Sequence, residues 1–242
     1  MLPLYCTICK FVCSHLNSKM CIAENLRQLN LEIGAAVKII AVSKFQSVKA
    51  IQEAYDAGQK RFGENKVQEI ILKYPLLPKD IEWHFLGHLQ TNKVRFIAPF
   101  VHMIHSVDSL KLLQVINKEA SRSNRVINCL LQFHVASEET KFGLDFQEAI
   151  ELVHAAALHP MQNICFAGVM GMASLTGDLA QIRAEFKTLK TNFDYLKRTY
   201  FQKNIDFREI SMGMSGDYHL AIEEGSTMVR IGTLIFGNRN DP

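Results

Sequence analysis

A chain of 242 residues with 48% hydrophobic and 21% charged content can bury one large core and reads as an ordinary globular protein. Its net charge of +3, from 27 Lys and Arg against 24 Asp and Glu, is too balanced to imply a nucleic-acid or membrane surface, so partners must be argued from sites. No apolar stretch approaches the roughly 18 residues that a membrane helix requires.

In chain order, four of the six cysteines fall within the first 21 residues. Cys6, Cys9 and Cys13, with Cys21 or His15 as a fourth ligand, lack the paired spacing of zinc fingers and ribbons, and no metal site is assigned. The early apolar stretch is interrupted by Lys10 and has no clear small-residue cleavage site, so no secretory signal is assigned and a reducing, cytoplasmic compartment is expected. Ile22 to Val37 then reads as a helix.

After it, strand-length apolar runs alternate with helical segments. The runs are Lys38–Lys44, Arg61–Glu64, Trp83–Gly87, Met103–Val107, Val126–Val135, Ile164–Met172, Arg208–Met212 and Met228–Gly232. Between them, Val48–Ala57, Lys66–Tyr74, Asn92–Ile97, Leu110–Ser121, Phe146–Ala157, Leu179–Tyr200 and Asp217–Glu224 read as helices. The clearest is Leu179–Tyr200, where Leu179, Ile182, Phe186, Leu189, Phe193, Leu196 and Tyr200 form one apolar stripe. Its polar flank of Arg183, Lys187, Lys190 and Lys197 reads as a solvated face. Cys129 and Cys165 sit inside strand runs and read as inert core thiols.

Eight such strand and helix units without a linker predict one α/β domain, a single (β/α)8 barrel of parallel strands. No Gly-x-Gly-x-x-Gly follows the first strand, which argues against a dinucleotide site. In a barrel the chemistry sits where the strands end. Lys44 closes strand one; burial would favour its neutral amine, the form that attacks an aldehyde, whereas on a free strand end it would reach water instead. Strand two ends in Gly63-Glu64-Asn65, and strand three runs through His84 to Gly87-His88-Leu89-Gln90. Strand five is followed by Glu138-Glu139-Thr140-Lys141-Phe142-Gly143, and strand six ends in Met170-Gly171-Met172.

The last two exits are where barrels commonly hold phosphate. Ser215 precedes a predicted helix, and Gly232 and Thr233 follow strand eight, offering close backbone approach and hydroxyl donors. Helix capping and turn formation are the ordinary uses of Ser215 and Thr233 taken singly. A lysine facing a phosphate cup suits an aldehyde that bears a phosphate, and pyridoxal 5'-phosphate fits. His84 and His88 could suggest a metal pair, but with Trp83 and Phe85 beside them they read as structural hydrogen-bonding groups.

The chain resembles the YggS/PROSC family of pyridoxal phosphate homeostasis proteins. The resemblance runs in order through Ala41-Val42-Ser43-Lys44, Phe62-Gly63-Glu64-Asn65, Trp83 to Lys93, Lys141-Phe142-Gly143, Ser211-Met212-Gly213-Met214-Ser215, Gly225 to Thr233 and Ile235-Phe236-Gly237, covering about Ile22 to Arg239. It implies an alanine racemase N-terminal-domain type of barrel over residues 20–242. Residues 1–19 have no counterpart, as an extension or an overlong start, and the connection into strand one through Leu31-Glu32-Ile33-Gly34 is short.

The resemblance also implies that Lys44 carries the cofactor as a covalent aldimine and that Ser215, Gly232 and Thr233 hold its phosphate, with Gly216 in the same cofactor-binding set. Arg230 faces the pyridine nitrogen and Asn65 lies beside the ring. An arginine keeps its proton and disfavours protonation of a ring nitrogen next to it, weakening the electron sink that carbanion chemistry needs. Related racemases take a second proton-transfer tyrosine from an additional C-terminal domain, and this chain ends just past the predicted barrel; Tyr218 reads as a packing residue. The expected role is therefore a monomeric carrier or buffer of pyridoxal 5'-phosphate with no catalytic residue, supporting vitamin B6 and amino-acid homeostasis and supplying cofactor-dependent apo-enzymes. The alternatives are an amino-acid racemase or lyase using the same linkage, and a cofactor-free enzyme acting on a sugar or polyol phosphate.

Overall fold

The computed structural model describes residues 21–137 and 142–237. The predicted extension with Cys6, Cys9, Cys13 and His15, the segment Glu138 to Lys141, and Arg239 lie outside the described residues. Eight strands close a parallel barrel in sequence order: β1 (Lys38–Val42), β2 (Arg61–Glu64), β3 (Glu82–Phe85), β4 (Met103–Val107), β5 (Ile127–Phe133), β6 (Ile164–Gly171), β7 (Glu209–Met214) and β8 (Met228–Ile231). Closure is made by β8 on β1, from Lys38 opposite Met228 to Ala41 opposite Ile231.

The helices are α1 (Ile22–Ile33), α2 (Val48–Asp56), α3 (Val67–Lys73), α4 (Val94–Ile97), α5 (Leu110–Arg122), α6 (Phe146–Leu158), α7 (Leu179–Thr199), α8 (Tyr218–Glu223) and α9 (Thr233–Phe236). The expected (β/α)8 barrel is present, with its strand count and order as read from the apolar runs.

Alternation along each strand sorts side chains into two cores. Ile39, Ala41, Phe62, Trp83 and Phe85 are buried in the main core with the helices. Facing inward, Ile40, Met103, Leu130, Ala167, Met170 and Met228 form a separate, smaller cluster. His105 and Arg230 lie two residues beyond Met103 and Met228, so the interior turns polar toward the strand ends. Five members of the predicted α7 stripe, Ile182, Phe186, Leu189, Phe193 and Leu196, are buried, each contributing on the order of 1.5–3 kcal/mol relative to exposure, whereas Leu179 in the first turn is exposed and Tyr200 stands half-buried just past the helix end. Asp178 caps that helix by accepting from Ala180 N and Gln181 N, and Arg183 on its polar flank pairs with Glu223 and Glu224.

Several boundaries differ from the sequence reading, each for a local reason. α1 stops at Ile33 rather than Val37 because Gly34, at φ 74°, turns the chain out of the helix. β1 stops at Val42 rather than Lys44 because Ser43 to Gln46 form a turn, with Gln46 N donating to Ser43 O at 3.0 Å. β7 runs to Met214, beyond Met212, through Gly213 at φ 92°. α9 escaped prediction altogether, since Thr-Leu-Ile-Phe is too short to show a helical period and continues the apolar character of β8.

Candidate functional site

The turn that carries Lys44 is held from beneath by a buried ion-pair network. Ser43 Oγ donates to Glu64 Oε1 at 2.7 Å. Lys73, from the end of α3, donates to the same oxygen at 2.7 Å and to Ser43 O at 2.9 Å. Phe45, a non-glycine residue at φ 66°, is fixed in that conformation by donation from its N–H to Glu69 Oε2 at 2.7 Å. Glu64 is fully buried, and burial raises its carboxyl pKa above the ordinary value against the lowering pull of Lys73 and Ser43. Lys44 itself is half-buried, neither sealed in the core nor released to water.

A cavity of about 310 Å3 opens at the strand ends, and all seven sequence-predicted site residues line it. Lys44 follows β1 and Asn65 follows β2. Ser215 and Gly216 follow β7; Arg230 belongs to β8, and Gly232 and Thr233 follow it. The left-handed turn at Gly213 brings β7 round to this mouth, where a Cβ would lie 2.6 Å from the Ala221 Cβ. A register shift between Ser211 and Met214 sets Met214 beside Arg230. Asp217 closes the loop by accepting from Met214 N at 2.5 Å.

The two glycines on this side of the cavity differ in the space around them. A Cβ on Gly216 would meet nothing within 4 Å, so its backbone is approachable. At Gly232 a Cβ would stand 3.3 Å from Val42 O, a tight fit against β1. Thr233 and Leu234 are the first two residues of α9, whose initial N–H groups have no partner within the helix.

Arg230 is 5% exposed. Its Nη1 donates to Ser211 O at 2.7 Å and Ser211 Oγ at 2.8 Å, and its Nη2 donates to Gly171 O at 3.0 Å. Those bonds use three of five donors and fix the guanidinium plane. Burial lowers its pKa to about 10, with Asp217 pulling it back up, so it is charged at neutral pH. Asn65 Oδ1 is buried with no hydrogen-bond partner among the described residues. An amide left in that condition at a cavity wall can turn oxygen or NH2 toward a ligand.

Sequence reasoning missed Gln46 and Leu86 as site residues, although both line the cavity; Gln46 sits in the turn after β1 outside any motif, and Leu86, though inside the Trp83 to Lys93 run, is an apolar residue with no chemistry to single it out. Conversely, His84 and His88 do not meet. His84 is buried and shares a 2.8 Å hydrogen bond with His105, whereas His88 is exposed, 3.1 Å from Asp108 Oδ2, and stacked on Phe142. Tyr218 lies outside the lining. It is 5% exposed, donates from its hydroxyl to Glu32 Oε1 at 2.7 Å, and is pushed up to about 12 by burial and then by that bond. Among the described lining residues, Lys44 and Arg230 are the ionisable ones.

The alanine racemase N-terminal domain family matches residues 19–240. A pyridoxal phosphate homeostasis protein from Aquifex aeolicus is 40% identical over 203 residues, 84% of this chain and 87% of the relative. The chain belongs to the pyridoxal phosphate homeostasis protein family. Its Escherichia coli member is 36% identical over 233 residues, 90% of this chain and 97% of that one. Among solved structures, PipY of Synechococcus elongatus with pyridoxal phosphate bound superposes with a TM-score of 0.80 at 37% identity, covering 89% of this chain and all of PipY. Alanine racemase from Bartonella henselae shares the fold at a TM-score of 0.65 and 17% identity, and this chain spans 61% of its length. No helix among the described residues is long and apolar enough to cross a membrane.

Proposed function

We propose that this chain binds pyridoxal 5'-phosphate covalently through the Lys44 amine and serves as its carrier or buffer. The observation that carries the reading is the convergence of Lys44, Asn65, Arg230 and the Ser215–Gly216 and Gly232–Thr233 pairs, from four strand ends, on one cavity. The residues fit the group: an amine for an aldehyde, the open backbone of Gly216 and two hydroxyls for a phosphate, an amide whose oxygen has no described partner for a ring substituent, and a fixed cation for a ring nitrogen. When bound, the cofactor supplies an aldehyde that condenses with amines and a ring that withdraws electrons.

Lys44 holds the group, the two glycine-hydroxyl pairs orient it, and Arg230 leaves the ring nitrogen without a proton. Holding a reactive aldehyde in reversible linkage limits its condensation with other amines. The family to which the chain belongs is named for pyridoxal phosphate homeostasis, which supports a place in vitamin B6 and amino-acid balance with cofactor-dependent apo-enzymes as recipients. We place this activity in the cytoplasm and in a monomer of residues 20–242, with residues 1–19 as an appendage.

A racemase or lyase acting through the same linkage is the second reading, favoured by the fold shared with alanine racemase. Against it, no tyrosine or cysteine is among the described lining residues. Borohydride reduction of the purified protein followed by peptide mass spectrometry tests the linkage. The pyridoxyl phosphate adduct is expected on Lys44; an adduct chiefly on Lys93 or Lys141 defeats the assignment.

A further inference from the structure

At the opposite mouth of the barrel, where the strands begin, a second constellation stands apart from the cofactor cavity. Glu82 opens β3, His84 follows two residues on with its side chain on the same face, and His102 immediately precedes β4. One ligand-type atom from each lies within 4.8 Å of the others. His84 is 1% exposed, its Nδ1 engaged by His105 Nε2 at 2.8 Å. Its Nε2 is buried and has no hydrogen-bond partner among the described residues. An imidazole nitrogen in that state has lost water and gained nothing in return, a condition that native interiors seldom leave uncompensated.

We propose that Glu82, His84 and His102 form a site for a divalent transition-metal cation of the zinc class. His84 supplies Nε2, His102 a ring nitrogen and Glu82 a carboxylate oxygen, leaving a position for water. Two imidazoles and one carboxylate are the donor set that Zn2+ and Co2+ accept, whereas Mg2+ and Ca2+ call for more oxygen ligands. The charges around the site are Arg61, Lys38 and Arg125 against Glu82 and Glu209. Arg61 Nε meets Glu82 Oε2 at 3.1 Å, with both side chains 38% exposed, and Lys38 pairs with Glu209. An ion pair that solvent already weakens is readily exchanged for a coordinate bond.

The site connects to the cofactor cavity through hydrogen bonds. From His84 the chain runs to His105, from His105 Nδ1 to Ser211 Oγ at 3.0 Å, and from Ser211 Oγ to Arg230 at 2.8 Å. Two proton arrangements satisfy these contacts. In one, the Ser211 hydroxyl donates to His105 and His105 to His84, which leaves a proton on the orphaned Nε2. In the other, a cation occupies that Nε2, His84 donates to His105, and His105 donates to Ser211, which also accepts from Arg230. A bound cation selects the second arrangement and so orders the contacts beneath Arg230.

Equilibrium dialysis of the full chain against Co2+, read by metal analysis and by visible d–d absorption, tests the site. One saturable equivalent per chain is expected, displaced by Zn2+. Glu82→Gln and His102→Ala, both at partly exposed positions, should each weaken it by about tenfold or more, with His102→Gln standing in if the alanine variant fails to fold. No saturable binding overturns the proposal. So does retained affinity in either variant, which would assign the cation elsewhere, such as Cys6, Cys9 and Cys13.

Discussion

At the scale of single residues, the division of labour at the cavity makes separable predictions. Ser215 and Thr233 are assigned to an anionic phosphate, where a charge-assisted hydrogen bond contributes about 1.5–3 kcal/mol. The double variant Ser215→Ala with Thr233→Val is expected to lose affinity for pyridoxal 5'-phosphate by roughly tenfold or more and to bind unphosphorylated pyridoxal nearly as before. Titration of the apo-protein with each compound, followed in the visible spectrum, checks this. Equal losses for both would mean that the hydroxyls serve something other than phosphate. Tyr218 offers the opposite case, a conspicuous hydroxyl outside the cavity. Its pKa is raised to about 12 in the folded chain against about 10 unfolded. A raised value means that its contribution is complete below the unfolded pKa and is lost as pH climbs from about 10 to about 12. Tyr218→Phe should therefore flatten that alkaline limb in denaturant melts while leaving the cofactor spectrum unchanged.

The turn after β1 shows how whole elements, rather than the strand alone, place Lys44. Lys73 at the end of α3 neutralises Glu64 at the end of β2 and holds the Ser43 carbonyl. Removing it leaves a fully buried carboxylate without its partner, a loss of about 3–5 kcal/mol in comparable sites. Lys73→Met is therefore expected to destabilise the fold by that order and to loosen Lys44. Glu64 already lies above its ordinary pKa through burial. Without Lys73 it rises further, and a raised carboxyl contributes stability at low pH that is lost as pH increases. The penalty should grow from acid to neutral solution, and the double change Glu64→Gln with Lys73→Met should recover most of it. A penalty that is flat with pH would remove Glu64 from the explanation. None of this network was legible in the sequence, because its members are joined by tertiary contacts that leave no period. The strand ends were legible because apolar runs of four to ten residues stop at glycine-rich or polar clusters, and the chemistry-bearing residues stand at those stops. Gln46 and α9 were not: one sits in a turn without a motif, and the other is a single helical turn hidden in an apolar run. The interior chain through His105 and Ser211, 106 residues apart, appears once the barrel has closed.

For the molecule as a whole, the question is whether a barrel shared with racemases runs their chemistry. Moving a proton across the two faces of a substrate carbon needs two groups that can exchange protons near neutral pH. The proposed linkage assigns one such role to Lys44, and Arg230, with a pKa of about 10 after burial, remains a fixed cation bonded to two carbonyls and a hydroxyl. Tyr218 is turned away toward Glu32. On the proposed reading, a cavity whose described lining offers no second such group would retain the cofactor rather than turn over amino acids. The holo-protein should exchange the α-hydrogen of L-alanine and other L-amino acids no faster than about the rate given by free pyridoxal phosphate, while transferring cofactor measurably to an apo-enzyme. Arg230→Gln keeps an amide N–H donor on the same side chain but removes the charge that the proposed reading sets beside the ring. Any residual exchange should then rise, provided the variant still binds cofactor, because the ring nitrogen is freer to accept a proton. Quenched deuterium-exchange samples read by mass spectrometry decide the matter. Turnover by the unaltered protein on the order of one per second or faster would show that a second proton-transfer group reaches the cavity and would make the racemase or lyase reading the better one.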